Sequence, residues 1–404
     1  MANTLITPTA VTREALRILH QKLNFIGNVN RQYDDRFAKT GAKIGDSLLI
    51  RNPNQYTVRT GATLSTQDTT ESTTTLQVST QKGVDLNFTS VDLTMDMDDF
   101  SSRILDPAMS VLASNIENDA MSMYKDIYQE VSDVGATVTL SDILKCGKKL
   151  TDALAPISGR CLNMTTQQNV DLVEAVSGLF NDPAKLSKNY REGMVANDFL
   201  GFKDVYQNTL WPTHTTGIDD GTGDYLVNGA SQTGSTITID TGSTGTFLVG
   251  DIVSFTDVNR VHPETKADTG ELMKFVVTSN SGTSATELAI SPALTTSGAT
   301  QNVTASPANN VQVWKRESDD STAIGTSADY AIGMGFHKDA FAFATADLLM
   351  PKGVDFSARE VMDGVSMRIV RDYDINNDKF PCRLDVLYGY KTIRPELACR
   401  IGTN

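Results

Sequence analysis

The residue types that most often carry catalysis or bind metals are few in this 404-residue sequence. The four histidines, His20, His214, His262 and His337, show neither a metal-ligand spacing nor an HExxH motif. There is no GxSxG nucleophile elbow and no P-loop, and Gly333 and Gly335 lack the third glycine of a dinucleotide-binding motif. We interpret each histidine as a surface or structural residue. The sequence therefore predicts no enzyme, no catalytic residue and no cofactor.

Two acidic clusters could in principle hold a cation. The segment DYDINND places oxygen-bearing side chains at alternate positions of a calcium loop: Asp372, Asp374, Asn376 and Asp378. Asn377 replaces the turn glycine of that loop and Arg383 replaces its bidentate glutamate, so a hairpin turn between two strands is the better interpretation. The second cluster consists of Asp96, Asp98 and Asp99, and the dipole of a helix that follows it already explains these acids. No metal is expected.

Composition and charge narrow the classes of protein further. With 40% hydrophobic and 21% charged residues, the chain has enough apolar material to form real cores, and its length predicts two or three folded units. No apolar run is long enough for a membrane-spanning helix, and the first residues do not resemble a secretion signal, so no membrane association is expected. Four cysteines without a CxxC pair, Cys146, Cys161, Cys382 and Cys399, favour reduced thiols.

The net charge of -14 argues against a phosphate-binding surface over most of the molecule. The charge is uneven along the chain. Residues 1–60 carry nine basic and four acidic residues, whereas residues 61–100 carry Lys82 against seven acids. Residues 217–308 carry ten acids against three bases. A basic N-terminal arm is therefore followed by acidic segments.

Hydrophobic periodicity predicts the first elements. After Thr12, the leucines Leu16, Leu19 and Leu23 recur at helical spacing, and this amphipathic helix either packs on its own domain or docks on another chain. Residues 45–93 alternate between apolar and polar side chains and include a stretch, 61–80, with eight threonines and three serines. We predict a long, polar, two-stranded flap that lies on a neighbouring subunit, because an isolated hairpin is marginal in water. A disordered linker is the alternative.

A long helix should follow the flap. Asp106 and Pro107 give a helix start, and apolar residues continue at steps of three and four up to Val131, which predicts a spine of roughly 40 Å for about 27 residues. The pattern over residues 141–210 predicts mixed structure that includes helices. Ser141 is the predicted cap of one helix and Thr166 the start of another, whose apolar face would be Val170, Val173, Val176 and Phe180.

The composition changes again near residue 217. Six short strand candidates separated by Gly, Ser, Asn and Asp lie within residues 217–316 and predict a small antiparallel barrel or sandwich inserted in the chain. Two alternating runs close the chain as strands. The fold class is therefore α+β.

The order of these parts resembles the tailed-phage major capsid proteins of the Hong Kong 97 type fold, and more narrowly the coat-protein family of the short-tailed Salmonella phage, which has an insertion domain in the same place. The resemblance rests on four segments: FAKTGAKIGDSLLIRNPNQYTVRTGA, FLVGDIVSFTDV, GFHKDAFAFATADLLMP and DVLYGYKTIRPELACRIG. It implies a coat protein that assembles with itself into hexamers and pentamers of an icosahedral shell around packaged double-stranded DNA, without binding that DNA specifically. It also implies a scaffolding protein and a portal as partners, the virion capsid as location, and assembly in the cytoplasm of the host bacterium.

The resemblance implies a division of the chain into seven parts. These are an N-terminal arm (1–44), an extended two-stranded loop (45–93), a spine helix with the peripheral domain (94–135), the axial domain in two parts (136–216 and 317–350), the insertion (217–316) and closing strands of the peripheral sheet (351–404).

Seven residues are candidates for contacts between subunits. Arg260, Glu264, Lys266 and Asp268 mix both charges in an otherwise acidic insertion, so we expect either an intercapsomer contact or a solvated loop. Lys82 is the one base of residues 61–100 and is a candidate for the cross-link that some relatives form. Arg13 and Arg17 on the N-terminal helix could face the interior and meet an assembly partner.

One alternative function comes from a different class. An acidic, threonine-rich, β-rich chain could be a surface-binding protein that recognises a glycan or receptor. The spine helix and the flap argue against it, and so does the lack of clustered aromatic residues beyond Trp211 and Trp314.

Overall fold

The computed structural model describes residues 8–33, 46–64, 66–69, 71–88, 104–132, 136–177, 201–218, 225–240, 245–283, 285–315, 329–362, 365–375 and 379–403. Asp96, Asp98, Asp99, Asn376, Asn377, Asp378 and Phe180 lie outside these ranges.

Four α-helices lie in the described ranges: α1 (Pro8–Lys22), α2 (Asp106–Met121), α3 (Leu140–Asp152) and α4 (Thr166–Ser177). The strands of the first half are β1 (Asn30–Tyr33), β2 (Asp46–Arg51), β3 (Thr73–Val78), β4 (Thr80–Phe88), β5 (Glu130–Ser132), β6 (Arg160–Met164), β7 (Asp204–Gln207) and β8 (Thr213–Thr215). Those of the insertion are β9 (Gly234–Thr238), β10 (Ile252–Phe255), β11 (Asn259–Val261), β12 (Asp268–Leu272), β13 (Phe275–Val277), β14 (Glu287–Leu294) and β15 (Val313–Lys315). The remaining strands are β16 (Asp329–His337), β17 (Phe341–Ala346), β18 (Phe356–Met362), β19 (Val365–Arg371), β20 (Phe380–Thr392) and β21 (Ala398–Thr403).

The chain folds as two units, each made from separate stretches of sequence. The first unit contains Met1–Asn52, Thr73–Met121 and Phe341–Ile393, and the second contains Pro53–Ser72, Ser122–Ala340 and Arg394–Asn404.

The core of the first unit is a sheet against which helices α1 and α2 pack. Its strand order is β1-β17-β20-β19-β18, and β4 also pairs with β20. Helix α1 packs on β18, β19 and α2, and it buries Leu16 and Leu19 while Arg13 and Arg17 stay exposed. Of the two predicted roles of this helix, packing on its own domain is therefore the observed one.

The predicted flap is a hairpin of β2 and β3 whose register runs from Asp46↔Val78 to Arg51↔Thr73. Leu76 and Val78 pack against Ala344 and Leu387 of the first unit's sheet. The approach is so close at Gly389 that a Cβ there would lie 2.1 Å from the Gln77 carbonyl oxygen. The flap is shorter than predicted, because β4 pairs with β20 along its whole length, from Thr80↔Tyr388 to Phe88↔Phe380, and so belongs to the sheet.

The second unit contains a sheet of order β5-β21-β16-β6-β7, with β8 also paired to β16. Helix α3 packs on β21, β5 and β16. It begins one residue before the predicted cap, and the N–H and Oγ1 of Thr139 both contact Oδ2 of Asp142, at 2.9 and 2.7 Å. The four cysteines of the chain are free, buried thiols.

The inserted strands form a sheet of order β15-β10-β13-β14-β9 and a separate β11–β12 hairpin. All pairings are antiparallel. The sheet surrounds a core of fully buried aromatic and aliphatic side chains that includes Phe247, Phe255 and Phe275. The predicted antiparallel β-rich character of this segment is confirmed.

Three sequence expectations about individual elements are wrong. The spine helix ends at Met121 and continues only as a 3₁₀ turn, Ser122–Asp126, since Glu130–Ser132 pairs in parallel with β21. Strand β21 lies in the second unit's sheet between β5 and β16, not with the other closing strands.

The third error concerns helix α4. Val170 and Val173 on its predicted core face are exposed. Gln168 is buried instead, because its side-chain amide donates to Oγ1 of Thr403 at 2.9 Å and occupies the space that Gly333 leaves open.

Within the described residues, no helix is long and apolar enough to cross a membrane. Asp374 and Lys379 form an antiparallel bridge between the ends of β19 and β20 with a pair of backbone hydrogen bonds, and residues 376–378 of the turn predicted there lie outside the described residues.

Candidate functional site

The four mixed-charge candidates lie on one hairpin, β11–β12, which we call the 259–272 hairpin. Glu264 and Asp268 are exposed, and Lys266 is half-buried. Lys266 adopts φ 58° and its Nζ donates to the Gln301 carbonyl oxygen at 3.2 Å, while partial burial lowers its pKa. Asp268 accepts the Gly270 N–H at 2.8 Å. Contacts within the turn therefore fix its shape, and Glu264 is exposed on it.

The turn also uses a histidine. Nδ1 of His262 accepts the backbone N–H groups of Glu264 and Thr265, both at 3.2 Å. This is the structural role predicted for His262. His337 has a comparable role, since its ring contacts the Ser158 carbonyl oxygen at 3.0 Å and burial lowers its pKa.

Arg260 contacts its own chain at the base of this hairpin. Its Nη2 lies 3.3 Å from Oδ2 of Asp152 and 3.9 Å from Oε2 of Glu271, and Glu271 also pairs with Lys148 of α3. Only 16% of the Arg260 side chain is exposed. These ions hold the hairpin against α3, so any contact with another subunit has to come from the turn and not from Arg260.

Lys82 is also paired within its own unit. Its Nζ lies 2.7 Å from Oδ2 of Asp119 on α2, and the same oxygen accepts the hydroxyl of Tyr388 at 2.5 Å. Burial raises the pKa of Tyr388, so this hydroxyl stays protonated and donates. The arrangement stabilises the packing of α2 on the sheet and gives no support for a cross-linking role of Lys82.

On α1, Arg17 forms two hydrogen bonds with Glu14, at 3.0 and 2.5 Å, which raise its pKa. Arg13 is exposed one helical turn before it. The two arginines therefore occupy the solvent face of the helix in the single chain.

A loop tip, defined here as residues 53–72 between β2 and β3, carries the largest exposed apolar side chains of that region. Tyr56 is 55% exposed, Val58 95% and Leu64 77%. Neighbouring polar side chains bond to one another and do not cover these groups.

A cluster of buried charges in the second unit has no signal in the sequence. Asp251 is fully buried and its carboxylate accepts the N–H groups of Gly217 and Leu248, at 3.1 and 2.8 Å. Nζ of Lys315 lies 3.9 Å away and also donates to the Ile218 carbonyl oxygen. Asp251 thus holds the chain where it enters the insertion, at Gly217, and where it leaves, at Lys315.

His214 links this carboxylate to the parent sheet. Its Nε2 lies 3.1 Å from Oδ1 of Asp251 and its Nδ1 lies 3.0 Å from the hydroxyl of Tyr124. Because a carboxylate only accepts hydrogen bonds, Nε2 of His214 donates to Asp251. The prediction that His214 has a structural role is in keeping with these contacts.

Arg400 and Glu130 complete the cluster. Nη2 of Arg400 lies 2.5 Å from Oε2 of Glu130, and Nη1 donates to the Gly250 carbonyl oxygen at 2.8 Å. Burial lowers the pKa of Arg400, but the surrounding Glu130 and tyrosines raise it above its ordinary value. Tyr330, whose pKa is raised by burial, remains protonated beside Glu130 at 3.3 Å. Both ions are buried, so the pair joins the sheet to the insertion out of contact with water.

The described residues contain no group of three or more His, Cys, Asp or Glu side chains placed to hold a metal ion. The structure instead has exposed side chains on the loop tip and the 259–272 hairpin, and a buried cluster of charges that fixes the insertion.

Comparisons with known proteins identify the family. The family described as "P22 coat protein - gene protein 5" matches residues 21–402. No curated protein sequence matches the chain. Similar solved structures include that of Mycobacterium phage Che8, with 12% identity, a TM-score of 0.45 and coverage of 94% of this chain and 90% of that one. The capsid structure of the Cyanophage P-SCSP1u is similar at 10% identity and a TM-score of 0.45, with coverage of 95% and 89%.

The family match spans nearly all of the chain, including the insertion, and is independent of these remote structural similarities. It sets aside the surface-binding alternative, because the whole sequence, and not one module of it, fits a family of structural capsid proteins. The chain belongs to the P22 coat protein family and is a phage major capsid (coat) protein.

Proposed function

We propose that this coat protein assembles through hexamers and pentamers into an icosahedral shell, with a scaffolding protein and a portal as partners and the host bacterial cytoplasm as the place of assembly. The protein performs no catalysis in this role. The division into arm, extended loop, peripheral domain, axial domain and insertion is part of the proposal.

The observation that carries the proposal is the exposure of the loop tip. Tyr56, Val58 and Leu64 project from a segment without a core of its own, and exposing them costs free energy in an isolated subunit. A second copy of the chain that covers these side chains would recover that free energy. The strands β2 and β3 of the hairpin pack on the sheet of the first unit.

The charge of the chain determines how it interacts with packaged DNA and with assembly partners. A net charge of -14 on each copy gives packaged DNA little to bind, which keeps the genome free inside the shell. The exposed Arg13 and Arg17 offer a local basic face on α1, which suits an acidic segment of an assembly partner.

The turn of the 259–272 hairpin is proposed as a contact between capsomers. Its exposed charges are Glu264 and Asp268, and its backbone is fixed by His262 and Lys266. A preformed turn loses little conformational entropy on binding, which favours a specific contact. Arg260 serves this contact only by holding the hairpin on α3.

The experiment is electron microscopy of the high-speed pellet from cells that express the chain alone and with the neighbouring reading frames of its phage. We expect closed or irregular shells, and more regular shells when a scaffolding protein is present. A chain that stays a monomer or small ring under all conditions would contradict the proposal. Circular dichroism of the soluble fraction separates that outcome from a failure to fold.

A further inference from the structure

Side-chain hydrogen bonds join the two arms of the loop tip beyond the point where the backbone pairing of β2 and β3 ends. The last backbone pair of β2 and β3 is Arg51↔Thr73. Beyond it, the contacts are nested in sequence: Tyr56 Oη with Thr69 Oγ1 at 3.4 Å, Thr57 with Gln67, and Nη1 of Arg59 with the Thr63 carbonyl oxygen at 2.9 Å. Each contact joins the outgoing arm of the tip to a later residue of the returning arm or of the bend.

Gln67 makes three of these contacts, all with Thr57. Its Nε2 donates to the Thr57 carbonyl oxygen at 2.5 Å, and its Oε1 accepts the Thr57 backbone N–H at 2.8 Å and the Thr57 hydroxyl at 3.0 Å. A primary amide has the same donor and acceptor as a peptide group. The Gln67 side chain therefore pairs with Thr57 in the way that a residue of an opposite strand would pair with it.

We propose that Gln67 is a positioning residue that forms the loop tip before assembly, so that Val58 and Leu64 are already in place when a second copy of this chain arrives. The inference rests on the proposed function and adds the residue that prepares the contact. The tip is almost entirely polar and exposed, so it has no core to order it. Without this pairing the tip would have to be ordered during association, which slows binding.

The test compares Gln67→Ala with Gln55→Ala, a glutamine that is exposed on the same tip. Light scattering gives the rate of assembly, and amide hydrogen exchange gives the protection of the Thr57 N–H in the unassembled subunit. For Gln67→Ala we expect loss of that protection, an assembly rate lower by about tenfold, and an unchanged urea midpoint. Gln55→Ala should match the wild-type chain in all three measurements.

A second variant separates the donor from the acceptor. Gln67→Glu keeps the oxygen that accepts the Thr57 N–H but brings a second acceptor against the Thr57 carbonyl oxygen, so it should assemble as slowly as Gln67→Ala. Wild-type protection of Thr57 in Gln67→Ala would overturn the inference, and so would a wild-type assembly rate. If the wild-type chain itself forms no particles, the proposed function fails and the positioning role with it. If the wild-type chain forms particles and the Gln67 variants match it, only the positioning role fails.

Discussion

At the scale of single residues, the most consequential side chains are those of the buried cluster. Asp251, His214 and Arg400 come from three distant parts of the sequence, and each contacts the insertion or the strands that lead to it. A buried ion is tolerated only when its partner is present. The cluster therefore makes the position of the insertion depend on a few charges.

Arg400 gives the first test at this scale. Arg400→Met should destabilise the unassembled subunit by about 3–5 kcal/mol, because it leaves Glu130 charged and buried without its partner. The double variant Arg400→Met with Glu130→Met should recover a large part of that loss, since no uncompensated charge remains. Urea unfolding of the unassembled subunit measures both.

The control is Arg394→Met, which removes one member of a pair with Glu396 in which both side chains are 36% exposed. A partly exposed pair of this kind contributes about 0.2–1 kcal/mol. Equal effects of Arg394→Met and Arg400→Met would show that burial of the Arg400–Glu130 pair does not matter for stability.

Only some of the individual residue roles can be predicted from the sequence. The absence of a ligand spacing predicts that His214 is a surface or structural residue, and its burial and its contacts with Asp251 and Tyr124 show the structural role. Asp251 and Lys315 carry no signal in the sequence, since an acid after a glycine and a lysine at a strand end are ordinary choices. Gln168 misled the prediction for α4 because its partner, Thr403, lies on a strand more than two hundred residues away.

At the scale of elements, the 259–272 hairpin makes a prediction of its own. Glu264→Lys should reduce the yield and stability of shells without changing the fold, because Glu264 is exposed at a preformed turn. An exposed ion pair is worth only about 0.2–1 kcal/mol, but the loss recurs at each copy of the contact in a shell. Sedimentation of particles in increasing urea gives the measurement.

The matched control is Glu287→Lys, the same change of charge at an exposed position on β14 of the insertion. It should leave shells unchanged. Equal losses for the two variants would mean that net charge matters and that the turn has no specific contact.

Elements were easier to predict than their ends. Short alternating runs gave the inserted strands, and three- and four-residue steps gave α1 and α2. The pattern places the end of α2 too late, because Met123, Ile127 and Val131 are buried, as a helical stripe requires, although the α-helix ends at Met121. Pairing of Glu130–Ser132 with β21 overrides a periodicity that either conformation would satisfy.

At the scale of the whole molecule, net charge governs association. Copies that each carry -14 repel one another, and raising ionic strength from about 0.1 to 1 M shortens the screening length from about 10 to 3 Å. We expect the concentration of coat protein at which shells form to fall by about tenfold as the ionic strength rises through the lower part of this range. Light scattering at several salt concentrations measures it.

Sucrose at matched osmolality, which adds no ions, is the control for this experiment. A threshold that does not change with salt would show that repulsion between copies is not what limits assembly.

The division of the chain into interleaved units has a consequence for synthesis. Within the first unit, Phe88 of β4 pairs with Phe380 of β20, and the entire insertion is translated between them. Helices α1 and α2 therefore leave the ribosome long before the strands that bury Leu16 and Leu19 exist. The inserted strands, by contrast, pair within one continuous stretch of chain. High contact order of this kind slows folding and prolongs the exposure of apolar surface. The insertion can therefore finish folding before β20, which completes the sheet of the first unit, has been synthesised.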